Sequence, residues 1–243
     1  MDKSKKTLGI LGGLGPMASV YFYELITRHT LALRDQDHLD VIVLSGASTP
    51  DRTSFITGKS DKSPLDAMIK GVRTLYNAGA EIIAVPCNTA HYFFDELSKA
   101  VPVNVLNIVR ETTEHAKRKG ACRLGVLATD GTLISGSYKH ECERLGMEYV
   151  SPADDDQKVL MDIIYKSIKQ SSPPDIEAFN AIVEHLFKNG CDHIILGCTE
   201  LSLIPQKRVY GYEKMIDSLS VLAKNAITLC GAIPCGFDDI YNT

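Results

Sequence analysis

With 243 residues, 44% of them hydrophobic, the chain can bury a core as one large domain or two small ones. Its 26 basic and 30 acidic residues leave a net charge of −4, which offers no basic field to nucleic acid. No apolar run approaches the roughly 18 residues of a membrane span, and the cationic start MDKSKK leads into an apolar stretch that glycines and Pro16 cut short, so the expectation is a soluble cytoplasmic protein.

Residues 8–11 predict a short apolar strand running into the glycine-rich GGLGPMAS, and 20–33 a helix with apolar spacing at Val20, Tyr23 and Ile26. Residues 41–44 predict a second strand. The polar stretch SGASTPDRTSFITGKSDKSP, 45–64, comes next; so long a connection inside a compact domain is usually functional or mobile. A helix over 65–77, a strand over 81–85 and a helix opening at CNTAHYFFDELSKA succeed it, and Pro102 stops that helix. The pattern then restarts. Residues 104–108 predict a strand and 108–119 a helix, and CRLGVLATDGT, 122–132, parallels KTLGILGGLGP as strand plus small-residue turn. Residues 132–145 read as helical, 148–150 as extended, and 159–169 as a helix with Leu160, Ile163, Ile164 and Ile168 as its apolar stripe. SSPPD breaks the chain before a helix that runs to 188. A strand at 193–196, an end at Pro205, a helix at about 218–229 and a loose tail from 236 complete the reading.

Strands alternating with helices imply parallel sheets with right-handed crossovers. Two such runs imply an α/β fold of two doubly wound, Rossmann-like parallel-sheet domains. The halves divide near residue 103. The last helix is spare once the second half is complete and is expected to return to the first, giving 1–103 plus 208–243 as a discontinuous domain and 104–207 as the second. Ligands of open α/β sheets sit beyond the carboxyl ends of the strands, so facing halves put the site in a cleft between them.

Two stretches repeat one another. LYNAGAEIIAVPCNT, 75–89, and LFKNGCDHIILGCTE, 186–200, share a Leu-aromatic pair, a glycine, an acidic residue and an apolar run, and each reaches a cysteine eight positions beyond its glycine, at Cys87 and Cys198. The seven cysteines are read as reduced thiols, with Cys122, Cys142, Cys191, Cys230 and Cys235 as packing residues. A thiol between a strand end and a helix start meets unpaired N–H groups and the helix dipole, which lower its pKa from about 8.5; the same N–H groups can hold a carboxylate. Asn88 and Thr89 come after the first thiol, and Thr199 and Glu200 after the second, as polar neighbours for orientation, proton relay and substrate binding. Two acid-base groups on opposite faces of one carbon suit inversion of a stereocentre. No residue is identified as a cofactor lysine, so the expectation is no cofactor, with the carbanion stabilised by N–H donors and cations in a water-poor cleft. One thiol and one thiolate must be present together, and they titrate as a unit.

GGLGPMAS at 12–19, PCNTAH at 86–91 and GCTEL at 197–201 resemble the aspartate/glutamate racemase family, in particular its aspartate racemase and broader amino-acid racemase branch. The similarity runs to about residue 229. It implies two α/β domains related by a pseudo-twofold axis, a homodimer, a small amino-acid substrate with no nucleic-acid or membrane partner, and pyridoxal-independent racemisation. By motif, Cys87 and Cys198 are the acid-base pair, and Asn88 and Thr89 contact the α-amino or α-carboxylate end of the substrate. Met17 borders the site. Arg52 and Lys169 match residues that hold a side-chain carboxylate, with Lys166 a competitor for the second role, and Thr129 lines the second half of the cleft. Glutamate racemases carry an acidic-Ser start motif that GGLGPMAS lacks, so aspartate is favoured over glutamate. Two other readings stay open: a cis-trans isomerase or decarboxylase of the same superfamily with a nucleophilic cysteine, and a non-catalytic amino-acid-binding module. His91, Cys191, His193 and Cys198 match no zinc spacing, and GGLGP lacks the G-x-G-x-x-G of a dinucleotide loop.

Overall fold

A computed structural model describes residues 5–237. Strands β1 (Leu8–Gly12), β2 (Val41–Ser45), β3 (Ile82–Ala84) and β4 (Asn104–Val105) form one sheet in the order β2-β1-β3-β4. Strands β5 (Arg123–Leu127), β6 (Glu148–Val150), β7 (His193–Leu196) and β8 (Met215–Asp217) form a second in the order β6-β5-β7-β8. All pairings are parallel, with Leu8 opposite both Val41 and Ile82 in the first sheet, and Leu124 opposite both Tyr149 and His193 in the second. The shared strand order is the pseudo-twofold relation between two α/β halves. β1 is buried along its whole length, which is why it reads as an unbroken apolar run.

Helix α1 (Pro16–Arg28) starts earlier than its apolar spacing predicts, because Pro16 sits at the first turn, where a missing N–H costs no bond. α2 (Arg52–Ile56) lies inside the polar connection, capped by Asp51, whose Oδ1 accepts from the Ser54 N–H at 2.7 Å. α3 (Leu65–Asn77) buries Met68, Gly71, Val72 and Leu75 at helical spacing. A 3-10 turn, Thr89–Phe93, precedes α4 (Phe94–Lys99), and α5 (Ile108–Arg118) leads into the second half. There the single helix expected over 132–145 is two: α6 (Asp130–Ser135) and α7 (Ser137–Arg144), separated by Gly136 at φ 67°. α8 (Asp154–Asp162) continues through a π turn, Ile163–Ser167, and a 3-10 turn, Ile168–Gln170, and ends at Ser171 with φ 57°. α9 (Ile176–Lys188) and α10 (Ser218–Leu229) complete the described helices.

The expected division of the chain is corrected at both ends. β4 pairs with β3, Ile82 opposite Asn104, so residues 104–105 close the first sheet. β8, absent from the sequence reading, pairs with β7 at Ile194 opposite Met215 and belongs to the second sheet, although it falls after residue 207. Three residues carry no periodicity in β8, so pairing alone reveals it, and pairing alone shows which sheet β4 joins. The tail differs as well: Phe237 is 3% exposed and its ring lies tilted against His29 with centroids 4.6 Å apart, while the rest of the expected tail, 238–243, lies outside the described residues.

α10 packs against α1, α5 and β3 and is buried on nearly every side. One core cluster crosses the molecule through it, joining Leu8, Ile10 and Phe22 to Leu124, Val126 and Tyr138 by way of Leu219, Leu222 and Ile227. Separate clusters lie under α3 and under α8 and α9. No helix among the described residues is long and apolar enough to cross a membrane. A Cβ added at Gly136 meets nothing within 4 Å, so Gly136→Ala tests the left-handed break by itself. It should lower stability by about 1–2 kcal/mol in urea unfolding.

Candidate active site

Cys87 and Cys198 lie just beyond the equivalent strands β3 and β7, in loops that leave the carboxyl edge of each sheet. They are 6% and 5% exposed and line one cavity of about 10 Å³ between the halves, roughly the space of a single water. Arg52, Asn88, Thr89, Thr129, Lys169, Thr199 and Glu200, all singled out in the sequence, line it too. Met17 does not: it is 53% exposed and borders an open groove outside, where Arg52, Lys169 and Glu200 also surface. Lys166 pairs instead with Asp162 at 2.8 Å on the exposed face. Leu14, Asp51, Thr53 and Tyr165 complete the lining. The sequence reading missed these four. Asp51 had a signal as the cap before RTSFI, and Tyr165 stands four residues before Lys169, a spacing that places side chains together on a helix. The π turn between α8 and the end of that segment carries Tyr165, and the 3-10 turn after it carries Lys169.

Hydroxyls and one amide stitch the halves together around the cavity. Thr89 and Thr129 lie 2.9 Å apart through their Oγ1 atoms, Thr89 and Thr132 likewise, and Thr53 donates to Thr129 at 3.2 Å. Asn88 Nδ2 donates to Ser218 Oγ at 3.0 Å, and Tyr138 donates to Asn88 Oδ1 at 2.7 Å. Thr199 Oγ1 donates to the Pro86 carbonyl at 3.3 Å. Behind Cys87, buried His91 lies 2.8 Å through Nδ1 from the Cys87 carbonyl, and through Nε2 3.1 Å from the Leu106 carbonyl and 3.2 Å from the Ile108 N–H. Burial holds this imidazole below its usual range, although its carbonyl partners push the other way.

Four charged groups meet here. Arg52 is held by carbonyls, donating through Nη2 to Leu14 at 2.6 Å and through Nη1 to Pro50 at 3.1 Å, while its buried Nε has no hydrogen-bond partner. Its guanidinium lies beside Cys87; burial works against its charge, but Cys87 and Asp51 raise its pKa on balance. Lys169 Nζ donates to Glu200 Oε1 at 2.5 Å and stands 5.2 Å from the centre of the Tyr165 ring, and the Tyr165 hydroxyl donates to Asp51 Oδ2 at 3.2 Å. Glu200 Oε2 accepts from the Cys198 thiol at 3.1 Å. Burial would push the Glu200 carboxyl up, yet the Lys169 ammonium holds it below the usual range. A Cβ on Gly15, at φ 147°, would run into Glu200 Oε1, so the glycine-rich turn of the first half yields to this carboxylate.

The thiol of Cys198 is pushed well up, by burial first and by the Glu200 charge second. The sequence reading expected a lowered thiol at a helix start. The chain beyond Cys198 instead forms a three-residue 3-10 turn, Leu201–Leu203, with no α-helical dipole, and a carboxylate stands two residues away. The other five cysteines are free and none lines the cavity; Cys142, Cys191 and Cys230 are buried.

His91 makes stability pH-dependent. Because burial depresses its pKa below the ordinary 6.5, the unfolded chain takes up a proton that the folded one refuses, so this contribution is intact above 6.5 and is lost as pH falls through that value. His91→Gln cannot titrate. Its melting temperature should fall less than that of the parent between about pH 7.5 and about pH 5.5.

The sequence model of the Asp/Glu/hydantoin racemase family matches residues 11–226. The chain is 29% identical to a broad specificity amino-acid racemase of Bacillus subtilis, over 91% of this chain and 96% of that protein. Among solved structures, an aspartate racemase of Picrophilus torridus aligns with 98% of this chain and 100% of its own at TM-score 0.82 and 30% identity. An aspartate racemase homologue of Pyrococcus horikoshii aligns with 93% of this chain and 99% of its own at TM-score 0.75 and 26% identity. With the family match spanning most of its length, and with paired strand-end thiols on one cavity, the chain belongs to the Asp/Glu/hydantoin racemase family.

Proposed function

We propose that the protein racemises a dicarboxylic amino acid, aspartate first and glutamate second, without a cofactor and with Cys87 and Cys198 as its two acid-base groups. The observation that carries this is their meeting on a single enclosed cavity from equivalent strand ends of two related halves. One sulfur removes the Cα proton while the other delivers its own proton from the opposite face, and the substrate carbon inverts. The carbanionic intermediate is stabilised by the buried Arg52 and the half-buried Lys169 in a site with little water. Preference for a second carboxylate rests on the same cations. Arg52 keeps one buried N–H donor free, and an unmet donor there costs less when an acidic side chain accepts from it.

A cavity of about 10 Å³ is too small for an amino acid, so the substrate enters as the halves part. Arg52, Lys169 and Glu200 border both the cavity and the open groove and are the groups it passes. The aspartate racemase of Picrophilus torridus supports the choice of aspartate, while the broad specificity relative from Bacillus subtilis makes a panel of amino acids the right trial.

The protein, incubated with L-aspartate in heavy water without added cofactor, should form D-aspartate and lose the Cα proton signal. Absence of both across a panel of amino acids overturns the proposal. Cys87→Ser and Cys198→Ser should each reduce racemisation by more than about a hundredfold, with Cα exchange surviving in one enantiomer only, and the opposite one in each variant. A solute-binding protein would keep its affinity in both variants and turn nothing over, and a superfamily isomerase or decarboxylase would change the product mass or its carbon skeleton.

A further inference from the structure

We propose that Glu200 holds the proton on Cys198 in the resting protein, so that Cys198 waits as the acid and Cys87 as the base. The assignment deepens the racemase reading, from which it takes the need for one thiol and one thiolate. The sequence reading gave Glu200 to the substrate. Its carboxylate is instead turned to protein groups: Oε1 takes the Lys169 ammonium at 2.5 Å, and Oε2 takes the Cys198 thiol at 3.1 Å and the Thr199 hydroxyl at 3.4 Å. Lys169 fixes which oxygen remains for the sulfur. Gly15, from the other half, leaves room for the carboxylate where any side chain would collide with it.

A thiolate at Cys198 would stand 3.1 Å from a carboxylate inside a buried site, an arrangement of two like charges that low polarity punishes. Cys87 sees the reverse, with the Arg52 guanidinium beside it. The two thiols thus differ in their nearest charge, because at Cys198 the Lys169 ammonium is already paired with Glu200, whose other oxygen faces the sulfur. In the forward step the Cα–H bond breaks and its proton passes to the Cys87 sulfur, while the Cys198 S–H bond breaks and its proton forms the new Cα–H bond on the far face. The protein is left with a Cys87 thiol and a Cys198 thiolate facing Glu200, and it returns to rest by exchanging protons with water. The two enantiomers therefore meet unequal forms of the free enzyme. Their kcat/KM values must agree, because enantiomers have equal free energy, but kcat and KM separately differ by a common factor that Glu200 helps to set.

The test is alkylation by iodoacetamide, read site by site by peptide mass. Cys87 and Cys198 share one cavity and nearly equal exposure, which matches their access. In the parent protein Cys87 should be labelled at least about tenfold faster than Cys198. In Glu200→Gln the Cys198 rate should rise about tenfold while buried Cys191, at the other end of β7, stays unchanged, and the kcat ratio between enantiomers should move. Equal labelling in the parent overturns the assignment, which keeps it falsifiable even if the variant does not fold. So does an unchanged Cys198 rate in Glu200→Gln, or a rise shared by Cys191, which marks loosening of the fold. Labelling needs no turnover: a protein that labels as expected and racemises nothing retains the proton assignment and loses the racemase reading.

Discussion

Everything at the centre of this molecule depends on a chain of polar contacts, half-buried Lys169 to buried Glu200 to the Cys198 thiol, set against Arg52 and Asp51 on the other side. Ion pairs removed from water are weak sources of stability, because desolvation offsets their attraction, and breaking one partner leaves a charge stranded. Their value here is orientation. The Lys169 ammonium is fixed by a carboxylate, that carboxylate is fixed over a thiol, and Tyr165 links the same segment to Asp51 in the first half. Reorganisation that a polar solvent would need during proton transfer is largely completed by folding.

The fold supplies that arrangement by putting two carboxyl sheet edges face to face. The loops after β3 and β7 are equivalent in topology, so a duplicated sequence delivers its two sulfurs to one place. The seam between the halves is held by the threonine hydroxyls, Asn88, Thr199 and the core that crosses through α10. Short hydroxyl contacts are individually worth about 1 kcal/mol, and here several act together to hold a single closed arrangement. Symmetry ends at the side chains: Asn88 comes after one cysteine and Thr199 after the other, and the carboxylate of Glu200 has no counterpart two residues after Cys87, where Thr89 stands.

Much of this was legible before any coordinates. Apolar runs bounded by glycine and proline marked β1, β3, β5 and β7, amphipathic spacing marked α3, α9 and α10, and the repeated offset from glycine to cysteine pointed to the paired thiols. Less visible were the features that lack periodicity: the short strand β8, the sheet that β4 joins, the break at Gly136, and the π and 3-10 turns that carry Tyr165 and Lys169. The missed lining residues share one cause. Leu14, Asp51, Thr53 and Tyr165 matter through what they face, and they come from segments far apart in the chain.

The sequence by itself determined which residues could do chemistry and that they come in two related sets, because strand alternation, turn residues and the cysteine repeat are local properties of neighbouring positions. Only the tertiary structure decided their environments. Met17 fell outside the cavity, Lys169 and not Lys166 lines it, and the Cys198 thiol was pushed up where a helix start had suggested the opposite. Charge and burial act through space over a few ångströms, and those distances exist only once the two halves have closed on each other.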